Sequence, residues 1–429
     1  MKGHGRGFSR VVRDERAAAP RRPRAPVLLL LAAALSLVAC GGSGGSAQGA
    51  ASGTRTAGET PAPTAPGSPA GPGPSPSATT AQISALSPRQ LAGQRVIYSY
   101  RGLTPPASLL SRIRRGQAAG VVFFSNNISG RAQIRRVAAQ LQREAARSPV
   151  KAPLLLVVDQ EGGLVRRLPG APLLSQKQIG LSADPEAAAR RAGRAAGLNL
   201  KDVGMNVNLA PVLDVYRDPG NFIDQQGRSY SSRPPVVARL GTAFIAAQQR
   251  TGVVATAKHF PGLGGAAREQ NTDLRPVTLN VPLATLRAVD ESPYAPAIAA
   301  GVRLVMVSWA TYPALDARRP AGLSGVVVKR ELRGRLGFTG VTITDALGAG
   351  GLSAYGATGR RAVLAVGAGM DLVLCANRRV AEGTDATIAL ARALDGGRLG
   401  RKSFLAAVER VLALRESLVE STSSAGSGG

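Results

Sequence analysis

The chain has 429 residues, with 54 Lys and Arg against 26 Asp and Glu for a formal charge of +28, and only two cysteines and two histidines. So few cysteines and histidines exclude a disulfide framework and a Cys/His-bound structural metal, and neither a metal nor another cofactor is expected. The basic residues are scattered arginines without aromatic interleaving, a pattern that argues against nucleic acid as a partner.

Residues 1–39 read as a signal peptide, with Arg21, Arg22 and Arg24 ahead of the apolar run Pro26 to Ala39. About twenty apolar residues are needed to cross a bilayer, and this run is shorter, so a permanent membrane helix is not expected. Leu37-Val38-Ala39-Cys40 resembles the lipobox of bacterial lipoproteins. The resemblance implies cleavage before Cys40, lipidation of that cysteine, and a lipid-anchored domain on the outer face of the cell membrane. Residues 40–86 are Gly, Ser, Ala, Pro and Thr with almost no large apolar side chain, a composition expected to form a disordered tether. Loss of residues 1–39, with their eight Lys/Arg and two Asp/Glu, lowers the charge from +28 to +22. The remaining excess favours contact with anionic envelope polymers. His4 leaves with the signal, so His259 is the only imidazole of the mature chain, and Cys375 is its only cysteine besides Cys40.

Residues 87–421 are long enough for one α/β barrel, no comparable linker interrupts them, and 422–429 form a flexible Ser/Gly tail. Eight short apolar runs are candidate strands: Arg95–Tyr100, Gly120–Ser125, Leu154–Gln160, Met205–Val215, Val253–His259, Leu304–Ala310, Gly340–Asp345 and Met370–Cys375. Helical segments fall between many of them, at Ser129–Ala146, Asp184–Leu200, Pro234–Thr251 and Thr358–Ala368. This alternation predicts a (β/α)8 TIM-type barrel. A doubly wound open sheet is the alternative, weakened because no glycine-rich phosphate loop follows the first strand.

In a barrel of this type the ends of the strands share one mouth. Strand three closes on Asp159-Gln160-Glu161-Gly162-Gly163, strand four on Asp214, strand five on Lys258-His259, strand six on Trp309 and strand seven on Asp345. Several polar groups converging on one rim point to a binding or catalytic site.

The motifs resemble those of the family-3 glycoside hydrolases, in particular the compact single-barrel β-N-acetylhexosaminidases acting on cell-wall fragments. The resemblance rests on Val158-Asp159-Gln160-Glu161-Gly162-Gly163 with Val165 and Arg167, and on Asn208-Leu209-Ala210-Pro211-Val212-Leu213-Asp214-Val215. It extends to Gly227-Arg228-Ser229-Tyr230, Lys258-His259-Phe260-Pro261-Gly262 and Ile343-Thr344-Asp345-Ala346-Leu347, all in the expected order. It implies an exported retaining β-glycosidase with a carbohydrate substrate, in which Asp345 is the nucleophile. By the same resemblance Asp159, Arg228, Lys258 and His259 hydrogen-bond sugar hydroxyls. Asp214 either joins them or orients Arg228, and Trp309 stands either against a sugar face or in the core.

One departure bears on mechanism. The compact enzymes carry an Asp-Ser-His element in the loop after the fifth strand, whereas this loop reads Gly262 to Asp273 with Asn271 and Asp273 where the Asp and His would fall. Glu269 and Asp273 are the only carboxylates there and become the candidate acid/bases. The rival readings are a β-glucosidase-like exo-glycosidase of the same family and a glycan-binding pseudoenzyme that has lost the acid/base dyad.

Overall fold

The computed structural model describes residues 83–423. The signal segment 1–39, Cys40, the linker as far as residue 82 and the tail from residue 424 lie outside the described residues. Ile83 and Leu86, at the end of the segment read as linker, are buried in the main apolar cluster.

Eight parallel strands close into a barrel: β1 Val96–Tyr98, β2 Gly120–Phe123, β3 Leu155–Val158, β4 Val207–Asn208, β5 Val254–Phe260, β6 Leu304–Val307, β7 Val341–Ala346 and β8 Leu372–Leu374. Each pairs with its neighbours in chain order, and β8 returns to β1 through Val96 beside Val373 and Ile97 beside Leu374. Successive residues of a strand face opposite sides, and here both sides are buried, which is why the strands read as unbroken apolar runs. Ile97, Val122, Val157, Val254, Met306 and Ile343 fill the inside, where Val411 and Leu414 of the last helix join them. The alternate residues Val96, Val121, Leu156, Ala255 and Val305 face the surrounding helices.

The helices Arg131–Ala146, Pro185–Asp202, Pro234–Gln249 and Thr358–Ala368 match the expected segments to within two residues at each end. Pro185–Asp202 begins at Asp184, whose carboxylate accepts from Ala187 N–H at 3.1 Å. It then packs on Pro234–Gln249 through Gly193, where a Cβ would lie 2.3 Å from the Phe244 carbonyl oxygen. A side chain at Gly193 would therefore push the two helices apart.

Six strands are shorter than their apolar runs, and two of them break off in ways that shape the site. The fourth stops at Asn208 because Pro211 has no N–H to give the ladder, yet the chain keeps tracking β5 through Thr256 N–H to Ala210 O (2.9 Å) and an isolated pairing of Val212 with Lys258. The third stops at Val158 and gives way to a small hairpin of Gln160–Gly162 against Val165–Arg166. Both departures lie at the C-terminal end of the barrel, where polar side chains turn inward.

Candidate active site

The strand ends surround a cavity of about 250 Å³ lined by Asp159, Glu161, Arg167, Arg228, Lys258, His259, Asp273 and Asp345 over an apolar floor that includes Val122, Leu209, Met306 and Leu374. The middle of this set is a buried ion cluster. Glu161, only 2% exposed, receives Lys258 Nζ at 2.7 Å and both Nε and Nη2 of Arg228, at 2.9 and 2.8 Å. Lys258 Nζ also donates to Asp159 Oδ1 at 2.8 Å. Burial works against a charge on Glu161, but Arg228 and Lys258 outweigh it and hold the carboxyl well below the usual carboxylate range. Burial likewise opposes the charge on Lys258, where Asp159 and Glu161 prevail and raise its pKa. All three groups are therefore ionised at neutral pH, and the two cations are fixed with donors to spare.

His259 is set from the other side. Asp214, fully buried, accepts the His259 and Leu263 backbone N–H groups on Oδ1 at 3.2 and 2.8 Å, while its Oδ2 lies 2.7 Å from His259 Nδ1. A carboxylate can only accept, so the ring proton sits on Nδ1 and Nε2 is left facing Arg228 Nη2 at 3.4 Å. Asp214 thus orients His259 and not Arg228, which corrects one of the two roles read from the sequence, and it does not itself line the cavity.

Asp345 closes β7, with its Oδ1 accepting from Ala346 N–H at 2.7 Å. Trp309 was a candidate for stacking on sugar; it is instead 1% exposed, absent from the cavity wall, and donates its indole N–H to the Ala346 carbonyl at 2.9 Å. Its ring lies against Gly322, so the large apolar face is spent on the core. Its effect on the site is to hold the backbone beside Asp345.

The loop after β5 brings Asp273 to the same cavity. Gly350 N–H donates to Asp273 O and Gly351 N–H to Thr272 O, both at 2.8 Å, and further along the loop Thr311 exchanges backbone bonds with Val277 and Leu279 at 2.9 Å. A Cβ on Gly350 would lie 2.1 Å from Leu274 O, so this approach requires glycine. Although Asp273 is exposed at the rim, desolvation by the surrounding walls first, and the negative charge of Asp345 second, push its carboxyl up to about 6, against the opposing influence of His259 and Arg228. Glu269, the other candidate acid, is exposed and does not line the cavity.

Three lining residues with polar side chains went unassigned in the sequence: Glu161, Arg167 and Gln226. Glu161 is two residues from Asp159, the spacing that shares a face in an extended chain, and that signal was available. Arg167 is held by its backbone N–H on Gln160 Oε1 at 3.0 Å, and its Nε is buried without a hydrogen-bond partner among the described residues.

Residues 93–414 match the N-terminal domain of glycosyl hydrolase family 3. The chain belongs to that family. It is 45% identical over 327 residues to a secreted glycosyl hydrolase of Arthroderma benhamiae, covering 76% of this chain and 93% of that one. A β-hexosaminidase of Xylella fastidiosa is 36% identical over 281 residues, 64% of this chain and 80% of the relative. The family-3 β-N-acetylglucosaminidase of Paenibacillus sp. superposes with a TM-score of 0.73 at 35% identity, over 78% of this chain and 63% of that one. The chain is a β-hexosaminidase-like glycoside hydrolase on a TIM-type barrel.

The raised pKa of Asp273 has a measurable sign. Between about pH 4, where an unfolded aspartate ionises, and about 6, the folded protein keeps a proton that the unfolded chain releases. The stability this contributes is complete below the lower value and is lost as pH rises through the upper one. Asp273→Asn escapes that loss, so its urea-unfolding free energy relative to wild type should move in its favour from pH 4 to pH 7. Parallel profiles for the two proteins would show that the carboxyl is not perturbed.

Proposed function

We propose that the protein is an exported, lipid-anchored, retaining β-N-acetylhexosaminidase acting on cell-wall-type glycans, with Asp345 as nucleophile and Asp273 as acid/base. In the first step the Asp345 carboxylate bonds to the anomeric carbon as the glycosidic C–O bond breaks, and the departing oxygen takes the proton of Asp273. In the second, Asp273 removes a proton from water, the oxygen attacks the same carbon, and the glycosyl ester returns Asp345 as a carboxylate. Lys258 and Arg228 offer donors to the sugar hydroxyls, Asp159 offers an acceptor, and His259 presents Nε2. The observation that carries this reading is that Asp345 and Asp273 line one cavity, in which desolvation first and the charge of Asp345 second raise the Asp273 carboxyl to about 6. A general acid is most effective with a pKa near the working pH.

Replacing Asp345 with Asn keeps the side-chain shape and removes the attacking charge, so hydrolysis of aryl N-acetyl-β-glucosaminides should fall by several orders of magnitude while sugar still binds. Asp273→Ala should slow poor leaving groups by about 10²–10⁴, leave glycosylation by a dinitrophenyl glycoside nearly normal, and recover deglycosylation with azide. In wild type kcat/KM should decline as pH rises past the pKa of Asp273, and this limb should vanish in the variant. Uniform losses for all leaving groups would remove Asp273 from the role, whereas a wild type inert on every aryl β-glycoside, glucosides included, yet binding sugar would leave a glycan-binding protein.

Export and anchoring rest on Leu37-Val38-Ala39-Cys40, and the likeness to a secreted glycosyl hydrolase of Arthroderma benhamiae supports the first of them. Cys40→Ser should abolish acylation and release the protein from the membrane fraction. Equal fractionation of the two proteins, with no acyl mass difference, would refute the anchor.

A further inference from the structure

A second cavity of about 250 Å³ opens at the other end of the barrel, between residues that precede β1 and β8 and the start of the helix Arg401–Ser423. Its walls carry five cations, Arg95, Lys329, Arg333, Arg398 and Arg410, and no carboxylate is among the described residues lining it. The acid behind them is Asp371, fully buried and already divided: Oδ2 meets Arg333 Nη2 at 2.5 Å and Oδ1 meets Arg410 Nη2 at 2.8 Å. Thr342 adds its N–H to Oδ2 at 2.8 Å.

Part of this cluster has a structural use. Arg95, 2% exposed, stacks on Phe404 with its guanidinium carbon 4.4 Å from the ring centroid and ties down the Asp371 carbonyl through Nε at 3.0 Å. Together with Arg333 and Arg410 it seals the floor of the barrel. That use accounts for one negative charge and leaves a surplus of positive charge in a concave, partly dry space. Burial lowers Arg95 to about 10; Asp371 opposes the fall, and Arg410 and Arg333 add to it. Arg333 is lowered by burial too, with Arg410 contributing. Lys329 and Arg398 form no ion pair among the described residues, although a carboxylate on a neighbouring turn would relieve the crowding. Repulsion of this kind is relieved by an anion that several guanidinium groups can share.

We propose that this cavity binds a phosphoryl group, carried by a soluble phosphate ester or by the headgroup of an anionic surface. A tetrahedral dianion matches the forked donors of Arg398, the ammonium of Lys329 and the hydroxyl of Ser403, while Arg410, whose Nε and Nη2 both turn to Asp371 Oδ1 at 3.2 and 2.8 Å, adds its charge; the volume admits a small phosphate ester but no extended glycan. The site faces away from Asp345, so it can be filled while the catalytic mouth is open.

The test uses the full chain with Cys40→Ser, so that no acyl group interferes, and calorimetric titration with inorganic phosphate and with glycerol 3-phosphate at constant ionic strength. Saturable binding of one equivalent is expected, at least tenfold weaker in Arg398→Glu and in Lys329→Glu. It should be unchanged in Arg191→Glu, which alters the net charge equally on the distant helix Pro185–Asp202. Aryl glycoside hydrolysis should be the same in all of these proteins. Co-sedimentation with phosphatidylglycerol vesicles but not phosphatidylcholine vesicles, lost in Arg398→Glu, would identify a headgroup as the source; binding of the soluble esters alone would identify a small phosphate. Absence of saturable binding to any of these probes, or equal weakening in Arg191→Glu, would overturn the site.

Discussion

The catalytic mouth is organised around one carboxylate that is charged although it is almost entirely removed from water. An unpaired ion in that position would be unsupportable, and removing one partner of such a buried pair costs about 3–5 kcal/mol. Glu161 is tolerated because Lys258 and both donor edges of Arg228 converge on it, one from the end of β5 and the other from the loop after β4. The same contacts make it a fixture for the cations, which would otherwise swing on long flexible stems. Glu161 therefore converts two mobile side chains into positioned donors, and Asp159, which also lines the cavity, shares Lys258.

A second fixture works on the imidazole. Asp214 is aimed by the chain segment after Pro211, where β4 has ended but the backbone still runs beside β5, and from there it reaches both the backbone and the ring of His259. Fixing Nδ1 as the donor determines what Nε2 can do. The apolar barrel below supplies the rigidity, since its inner residues are held between helix-facing neighbours on every strand and are closed off by the last helix. Asp345, at the end of β7, and Asp273, in the loop after β5, line the same cavity. Desolvation there, reinforced by the negative charge of Asp345, raises the Asp273 carboxyl, the direction that a general acid requires.

Much of the fold was legible because parallel strands buried on both faces leave continuous apolar runs, and all eight runs are strands of the barrel. Their ends were less legible. Pro211 cuts β4 short, and the Gln160–Gly162 hairpin replaces the end of the third run. Lys258, His259, Asp159 and Asp345 reach one cavity as their positions at strand ends implied, and Arg228, which only the family resemblance had pointed to, joins them from the loop after β4. Trp309 did not, because a tryptophan at a strand end looks the same in sequence whether it faces the mouth or the helices. The choice of partner for Asp214 depends on register across the break at Pro211, which no local pattern encodes. Asp273 and Glu269 were indistinguishable as loop carboxylates until the loop was seen docked on Gly350 and Gly351. Glu161 could have been found from its spacing to Asp159, but its role as the shared counter-ion follows only from where Lys258 and Arg228 come together.

In the proposed mechanism Asp345 forms a covalent bond to the sugar. Incubation with a fluorinated N-acetylglucosaminyl fluoride, whose second fluorine slows both steps while fluoride departs readily, followed by peptide mass mapping, addresses it directly. A nucleophilic Asp345 gives a single glycosyl adduct on the peptide containing Ile343-Thr344-Asp345-Ala346-Leu347, and a β-configured first product by proton NMR with the normal substrate. An adduct on another carboxylate, or an α-configured first product, would contradict it.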